Sequence, residues 1–348
     1  RYALCAAVLC AGMACAQDLS KNTDKIKTLT VGQAITLAQQ KGDLYLNGLT
    51  NLSLGVAKAL AQHKGSWLSF EGLTTLSPEV ATALAQRKGD LYLRDLATLT
   101  PEAATALAQS KGQILSLRGL STLSPEVATA LAQYEGFLSL GGLATLSPEV
   151  ATALAHGKGQ MLSLDDLTTL SPAVATALVQ SKGGLSFGGL ATLTLEAATA
   201  LAQQKRALLR LDGLTALSPA VATALAQSKG GLTLDGLTAL STEVARALAQ
   251  YEGFLSLRGL TTLSPEVATA LAQGKGDLHL NGLTTLSPEA ANALAQHEGG
   301  WLSLNGLTTL SPEAAQALAE HKGRLLLDGL TTLSDEAARS LRANKAVE

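Results

Sequence analysis

Histidines are the residues of this chain best suited to metal binding or proton transfer. The five are His63, His156, His279, His297 and His321. His297 and His321 hold equivalent positions in consecutive copies of a repeated segment, so we expect their side chains to stack. Glu298 and Glu320 lie near them in sequence, but a metal site needs further ligands that converge on one point. We therefore interpret the two histidines as exposed residues of a duplicated segment and predict no metal.

Other patterns that could support catalysis are incomplete. The pair Asp165-Asp166 could serve acid–base chemistry only if the two carboxylates converged across a cleft. Gly183-Gly184 and Gly188-Gly189 lack the Lys-Ser/Thr pair that a phosphate-binding loop requires. Serines are numerous because the repeat uses them, and no Ser-His-Asp set stands out. We predict no enzymatic activity and no cofactor.

The elements that position these residues come from a single repeated unit. Leu255 to Gly276 reads LSLRGLTTLSPEVATALAQGKG, and thirteen versions of it follow one another at spacings of 23 or 24 residues. Leu255-Ser256-Leu257 alternates with period two, which predicts a short strand with one buried face. Ser264-Pro265-Glu266 predicts a helix start with a serine N-cap and proline in the first turn. Each unit is therefore one strand, one turn and one helix.

The remaining positions of the unit predict how it packs. Val267, Ala270 and Leu271 fall on one face of the helix. Gly259 suits a turn, and Gly276 is expected to adopt the positive φ that often ends a helix. A single unit cannot bury its leucines, whereas stacked units can. Because helices need more lateral space than strands, we predict an α/β solenoid with parallel strands on the concave face and short helices on the convex face. We expect the stack to be right-handed, as strand–helix–strand connections generally are.

Composition shifts divide the chain into four parts. Residues 1–16 are predicted to be a signal peptide, because a positive residue precedes an apolar run and Ala14-Cys15-Ala16 fits a cleavage site. Residues 17–41 are a leader with an N-terminal half-repeat cap, 42–322 are twelve strand–helix repeats, and 323–348 are a C-terminal capping repeat and tail. The protein is thus expected in the periplasm, at the cell surface or in the medium. Lipid attachment through Cys15 is a lesser alternative.

The repeat resembles that of the leucine-rich-repeat proteins. LSLRGLTTLS is similar to their strand and turn, and EVATALAQ resembles the alanine-rich helices of some bacterial members. The turn asparagine or cysteine of that family is replaced by Gly259 and its equivalents, so we expect the side-chain ladder of the family to be lost. The resemblance covers about residues 26 to 345, and it implies a non-enzymatic scaffold that binds a protein or a glycan.

Any ligand is expected to contact the strand positions that point away from the core. Tyr and Arg are favoured at binding hot spots, and four of them, Tyr45, Tyr92, Arg94 and Arg118, lie near the N-terminal end. The full set of candidate binding residues is Tyr45, Tyr92, Arg94, Arg118, Arg210, Arg258 and His279. Trp67 and Trp301 precede strand leucines and are interpreted as covers of the core edge.

The formal net charge of −2 gives no indication of a nucleic-acid partner. No apolar run reaches the length of a membrane span, and we expect a monomer. Three functions stay open: a scaffold that binds a protein or glycan, a structural or display solenoid without a discrete ligand, and a surface that recognises a lattice such as ice. The third depends on exposed rows of strand serines and of paired threonines such as Thr261-Thr262.

Overall fold

A computed structural model describes residues 23–204 and 207–344. The predicted signal peptide and Cys15 lie outside these residues, so both stay predictions. The chain divides into two compact units. The first consists of residues up to 167 with 181–183, and the second consists of 168–180 and 184 onwards.

The first unit contains six helices and six strands in its described part. A short 3-10 helix, Thr23–Lys25, comes first. The helices are α1 Val31–Ala38, α2 Leu54–Leu60, α3 Pro78–Ala85, α4 Pro101–Leu107, α5 Pro125–Leu131 and α6 Pro148–Ala155. The strands are β1 Leu44–Tyr45, β2 Trp67–Ser69, β3 Asp90–Tyr92, β4 Ile114–Ser116, β5 Phe137–Ser139 and β6 Met161–Ser163.

The second unit begins with a helix and continues the same alternation. Its helices are α7 Pro172–Leu178, α8 Leu195–Leu201, α9 Pro219–Leu225, α10 Thr242–Leu248, α11 Pro265–Ala272, α12 Pro288–Ala295, α13 Pro312–Leu318 and α14 Asp335–Arg342. Its strands are β7 Gly184–Ser186, β8 Leu208–Arg210, β9 Gly231–Thr233, β10 Phe254–Ser256, β11 Asp277–His279, β12 Trp301–Ser303 and β13 Arg324–Leu326.

Within each unit the strands pair in chain order and are all parallel. The first leucines of successive strands lie opposite one another, as Leu68 and Leu91 do in β2 and β3, and as Leu255 and Leu278 do in β10 and β11. The register places every inward leucine in one continuous row, and this row packs against the helices. The other surface of the strands is called the sheet face below. The predicted strand–helix solenoid repeat is confirmed.

Serine and threonine N-caps begin all the α-helices that the structure describes. In α11, Ser264 Oγ accepts a hydrogen bond from the Val267 N–H, and Pro265 occupies the first turn. The predicted inward helix residues Val267, Ala270 and Leu271 are buried. Alanine at one of these three positions lets neighbouring helices approach closely, while leucine contributes most of the apolar area. Truncation of one such leucine to alanine costs about 2–5 kcal/mol in well-packed cores.

The repeat glycines allow close stacking, and they do not supply positive φ. The prediction of positive φ at Gly276 is wrong. Among the described glycines, only Gly42 has a positive φ, of 99°. A Cβ on Gly276 would run into the carbonyl oxygen of Gly253 one repeat earlier. A Cβ on Gly259 would run into the carbonyl oxygen of Asp235 in the same way. At Gly259 and at Gly276 the backbone passes too near the preceding repeat to admit a side chain.

In several repeats a polar side chain at the end of the helix bonds to a backbone carbonyl of the repeat before it. The Tyr134 hydroxyl donates to the Gly112 carbonyl over 2.8 Å, and one ring nitrogen of His297 lies 3.0 Å from the Gly276 carbonyl. Asn344 Nδ2 donates to the His321 carbonyl over 2.7 Å. We call this series the loop ladder; its members are His63, Arg87, Tyr134, Tyr251, His297, His321 and Asn344.

Candidate binding surface on the sheet

A second series of hydrogen bonds runs along the sheet face, through Asn or Asp side chains directly before the turn glycine. Asp235 Oδ1 accepts from the Ser256 hydroxyl over 2.6 Å and from the Arg258 N–H over 2.9 Å. Asn281 accepts in the same way from Ser303 and Asn305, over 2.6 and 2.9 Å. We call this series the Asx ladder; its acceptors are Asn47, Asp212, Asp235, Asn281 and Asn305.

The Asx ladder overturns two expectations from the sequence. The side-chain ladder is not lost with Gly259, because the residue one position earlier supplies it. The strand serines are also not available to a ligand: Ser256 is 2% exposed, and its hydroxyl is used by Asp235. The rows of strand hydroxyls on which the lattice-binding hypothesis depends are therefore buried. The threonines Thr261 and Thr262 are exposed.

Three aromatic side chains lie on the sheet face of neighbouring strands in the first unit. Tyr45 is 39% exposed and Trp67 is 42% exposed. The Trp67 and Tyr92 rings meet edge to face with centroids 5.9 Å apart. The prediction that Trp67 covers the core edge is wrong, because it lies on the same face of β2 as Ser69, two residues later. Strict application of strand alternation to the position before the first leucine could have found it.

Arg94 completes this cluster. Its guanidinium carbon lies 5.3 Å from the centroid of the Tyr92 ring, within the range of a cation–π contact. Arg94 also forms an ion pair of 3.2 Å with Glu71 on the preceding repeat. We call Tyr45, Trp67, Glu71, Tyr92 and Arg94 the aromatic cluster. It brings together three of the predicted residues and two that the sequence reasoning did not select.

The surroundings of the Tyr92 hydroxyl raise its pKa. Burial raises the pKa of Tyr92, the charge of Asp90 raises it further, and Arg94 acts in the opposite direction. Asp90 itself is engaged, since its Oδ1 accepts from the N–H groups of Gln113 and Ile114 over 2.8 and 2.9 Å. The cluster therefore offers a phenol donor, a guanidinium and two exposed aromatic surfaces.

Arg118 lies on the same unit and is held by an ion pair. Its Nη2 is 3.3 Å from Asp166 Oδ1, although these residues belong to strands that are not neighbours. Gly141 lies between them, and a Cβ there would approach Arg118 Nε to 2.8 Å. Asp165, the neighbour of Asp166, instead accepts from the Ser163 hydroxyl over 2.6 Å. The two adjacent aspartates thus have separate structural partners.

The other predicted residues lie in the second unit. Arg210 and Arg258 are exposed, and the His279 ring contacts Phe254 with centroids 4.5 Å apart. Burial lowers the pKa of His279, and the charge of Asp277 opposes that shift. Trp301, also expected to cover the core edge, is 42% exposed and lies under the Arg324 guanidinium at 4.5 Å. It forms a tryptophan–arginine pair that the sequence reasoning missed.

The stacking predicted for His297 and His321 is confirmed, but their predicted exposure is wrong. Their rings are nearly parallel, with centroids 6.2 Å apart, and both residues are 2% exposed. Burial is the main cause that lowers the pKa of each. Among the described residues, no three His, Cys, Asp or Glu side chains come together as a metal site would need.

The helices in the described ranges were also compared with the length and hydropathy that a membrane span requires. None of these helices is both long and apolar enough to cross a bilayer.

The strand–helix repeat defines a leucine-rich-repeat fold, and solved structures share it. A chain of the Drosophila Toll–Spatzle complex is 14% identical with a TM-score of 0.50; the match covers 92% of this protein and 48% of that chain. A leucine-rich-repeat protein of Leptospira interrogans is 21% identical over 94% of this protein and 93% of its own chain, with a TM-score of 0.38. The internalin inlF of Listeria monocytogenes is 14% identical over 92% and 89%, with a TM-score of 0.36.

Comparisons by sequence give a different result. No family model matches the chain, and no curated protein matches it either.

Proposed function

We propose that this protein is an exported, non-enzymatic scaffold that binds a protein partner through the aromatic cluster. The observation that carries the proposal is the contact set of Trp67, Tyr92 and Arg94. Trp, Tyr and Arg are the three residue types most enriched at binding hot spots. Here Trp67 and Arg94 are exposed and Tyr92 is half-buried between them. They are already held together by an edge-to-face contact, a cation–π contact and an ion pair to Glu71.

Preorganisation favours this surface over the rest of the sheet face. Side chains that are ordered before binding lose less conformational entropy when a partner docks. Tyr45 and Trp67 offer apolar surface to a partner, while Arg94 and Glu71 offer charges for orientation. The neighbour from the Toll–Spatzle complex belongs to a protein–protein assembly, which supports a protein as the kind of ligand.

A glycan remains the second candidate, and the exposed tryptophan is the observation that favours it. A sugar would contact mainly the ring faces, whereas a protein partner would also use the Arg94 charge. Loss of binding on Trp67→Ala, with no effect of Arg94→Ala, would therefore identify a glycan. Export is proposed from the apolar segment before Gln17 and from its cleavage pattern.

The test uses two matched pairs of substitutions. Trp67→Ala with Arg94→Ala removes two residues of the aromatic cluster. Trp301→Ala with Arg324→Ala removes the tryptophan–arginine pair of the second unit and serves as the control. Partners are captured with the wild-type protein from the surroundings of the producing cells, and their affinities are measured by titration. Loss of a hot-spot residue costs about 2 kcal/mol or more, so the first variant should bind about thirtyfold more weakly or worse.

The control variant should bind like the wild type. Equal affinity of both variants for every captured partner would exclude the aromatic cluster as the binding site. A chain that captures no saturable partner would instead support the structural or display function.

A further inference from the structure

In the described part of the first unit, most lysines lie where helices lead into strands. Four consecutive repeats of the first unit carry a lysine directly before the connection glycine. We call these residues the lysine row: Lys41, Lys64, Lys88 and Lys111. All four are exposed, and within the described ranges no carboxylate lies at ion-pair distance from any of them. The net charge of −2 hides this arrangement, because many glutamates lie near helix N-termini.

The row is closely spaced because the connections are stacked against one another. A Cβ on Gly65 would run into the Gly42 carbonyl, and a Cβ on Gly89 would approach the Ser66 carbonyl. Connections in such contact follow the strand spacing of about 4.8 Å. The four ammonium groups are therefore presented as a line about 15 Å long.

A buried cation adds to the positive potential of this edge. Arg87 is 1% exposed, and its guanidinium donates to the carbonyls of His63 and Gly65 over 2.7 and 2.6 Å. Both acceptors are neutral, and in the described part of the chain no carboxylate pairs with Arg87. An arginine keeps its charge in proteins, and a charge with low-dielectric surroundings is weakly screened. Its field therefore reaches the neighbouring Lys64 and Lys88.

Two open clefts lie along the lysine row and share Lys64. One, of about 610 Å³, is lined by Lys41, Lys64 and the amides of Gln39, Gln40 and Gln62. The next, of about 510 Å³, is lined by Lys64 and Lys88 with Gln62 and Gln86. Ammonium groups match anions, and glutamine amides both donate to and accept from hydroxyl groups.

We infer that the lysine row and its two clefts bind a linear acidic polysaccharide. Such a ligand alternates anionic groups with hydroxyl groups, which matches a line of lysines separated by glutamines. A single-stranded nucleic acid would be expected to use aromatic side chains for base stacking. No Phe, Tyr or Trp lines either cleft, and His63, which lines the second, is buried. This surface is distinct from the aromatic cluster, which lies on the sheet face.

The second unit provides an internal contrast. Its corresponding positions alternate in sign, in the order Lys229, Glu252, Lys275, Glu298 and Lys322. The equivalent cleft, of about 480 Å³, is lined by Glu298 and Glu320 together with Lys322. The same backbone arrangement therefore carries mixed charge there, and no continuous basic line forms.

The experiment compares two variants with the same change in total charge. One replaces the lysine row by glutamine, through Lys41→Gln, Lys64→Gln, Lys88→Gln and Lys111→Gln. The control variant carries Lys182→Gln, Lys229→Gln, Lys275→Gln and Lys322→Gln. Binding of heparin and of polygalacturonate to the full chain is measured by titration calorimetry at about 50 mM and about 200 mM salt. Poly(dT) and phosphatidylglycerol vesicles are titrated in parallel.

The wild type should bind both polysaccharides, and its affinity should fall steeply with salt, because counterions are released. The lysine-row variant should bind at least about tenfold more weakly at low salt and respond less to salt. The control should change less than about threefold. Trp67→Ala with Arg94→Ala should leave polysaccharide binding unchanged, which separates this site from the proposed function.

Three results would overturn the inference. These are no binding of either polysaccharide by the wild type, equal losses in the two lysine variants, and tighter binding of poly(dT) or vesicles than of both polysaccharides. Circular dichroism and urea denaturation check that the variants fold. Folding is expected to be retained, because every replaced side chain is exposed.

Discussion

The Arg118 side chain passes over Gly141 and forms an ion pair of 3.3 Å with Asp166, two repeats further along the chain. Both side chains are about half exposed, so solvent screens the pair and its contribution to stability should be small. We expect Asp166→Asn to lower the free energy of unfolding by less than about 1 kcal/mol. Urea denaturation at low and high salt measures this effect, and a loss that is large and independent of salt would contradict it.

The Asx ladder should contribute more, because the strand hydroxyls that donate to it are buried. Asp235→Ala leaves the Ser256 hydroxyl and the Arg258 N–H without their acceptor. Unsatisfied buried groups of this kind cost about 1–3 kcal/mol. Asp235→Asn keeps an acceptor oxygen in the same place, as Asn281 does naturally, and should cost much less. Equal destabilisation by the two substitutions, measured by urea denaturation, would show that the hydrogen bonds are not the cause.

His297 and His321 should make stability depend on pH. Burial lowers the pKa of both in the folded state, and the positive charge of one also lowers the pKa of the other. The unfolded histidines titrate near pH 6.5, so below that pH the unfolded chain binds more protons than the folded chain. The contribution of the neutral pair is therefore complete above about pH 6.5 and decreases as the pH falls below it.

The matched variant for this prediction is His297→Tyr with His321→Tyr, because Tyr134 and Tyr251 occupy the same position in other repeats. The urea midpoint of the wild type should decrease between about pH 7 and pH 5. The decrease should be smaller in the variant. Burial also lowers the pKa values of His63 and His279. In both the wild type and the variant, these two residues therefore leave a smaller dependence of stability on pH. Parallel curves for the two proteins would refute the assignment.

Two glycine substitutions should have opposite effects. Gly32 lies in the first turn of α1, with no atom near the position of an added Cβ. Gly32→Ala should stabilise the chain by about 0.5–1 kcal/mol, because alanine loses less backbone entropy. Gly276→Ala should destabilise it by about 1–3 kcal/mol, because its Cβ would meet the Gly253 carbonyl. The midpoint of thermal unfolding should rise in Gly32→Ala and fall in Gly276→Ala. A change of both midpoints in the same direction would contradict this prediction.

The repeat itself could be predicted from the sequence because its signals are local. Alternation in Leu255-Ser256-Leu257 and the Ser264-Pro265 cap specify a strand and a helix without knowledge of the neighbouring units. The roles of Gly276 and Ser256 could not be predicted in the same way. Both depend on how near the preceding repeat lies, and only the stacked structure gives that distance.

The candidate site could be predicted in part, for a similar reason. Tyr45, Tyr92 and Arg94 were found from strand alternation and residue type. The exposure of Trp67 does not follow from the repeat pattern, which marks the beginning of the strand only by its first leucine. The lysine row could not be predicted from net charge or composition. Neither quantity shows that equivalent residues of successive repeats lie side by side along one edge.

The hydrogen bonds of the loop ladder and of the Asx ladder join residues that are only 21 to 26 positions apart in the sequence. These hydrogen bonds therefore connect a repeat only to its immediate neighbours in the chain. Where the repeats on both sides carry ladder residues, removal of the whole repeat between them would bring the same donors and acceptors together. At such places the chain can lose or gain one repeat through deletion or duplication and keep the same kind of contact between neighbours.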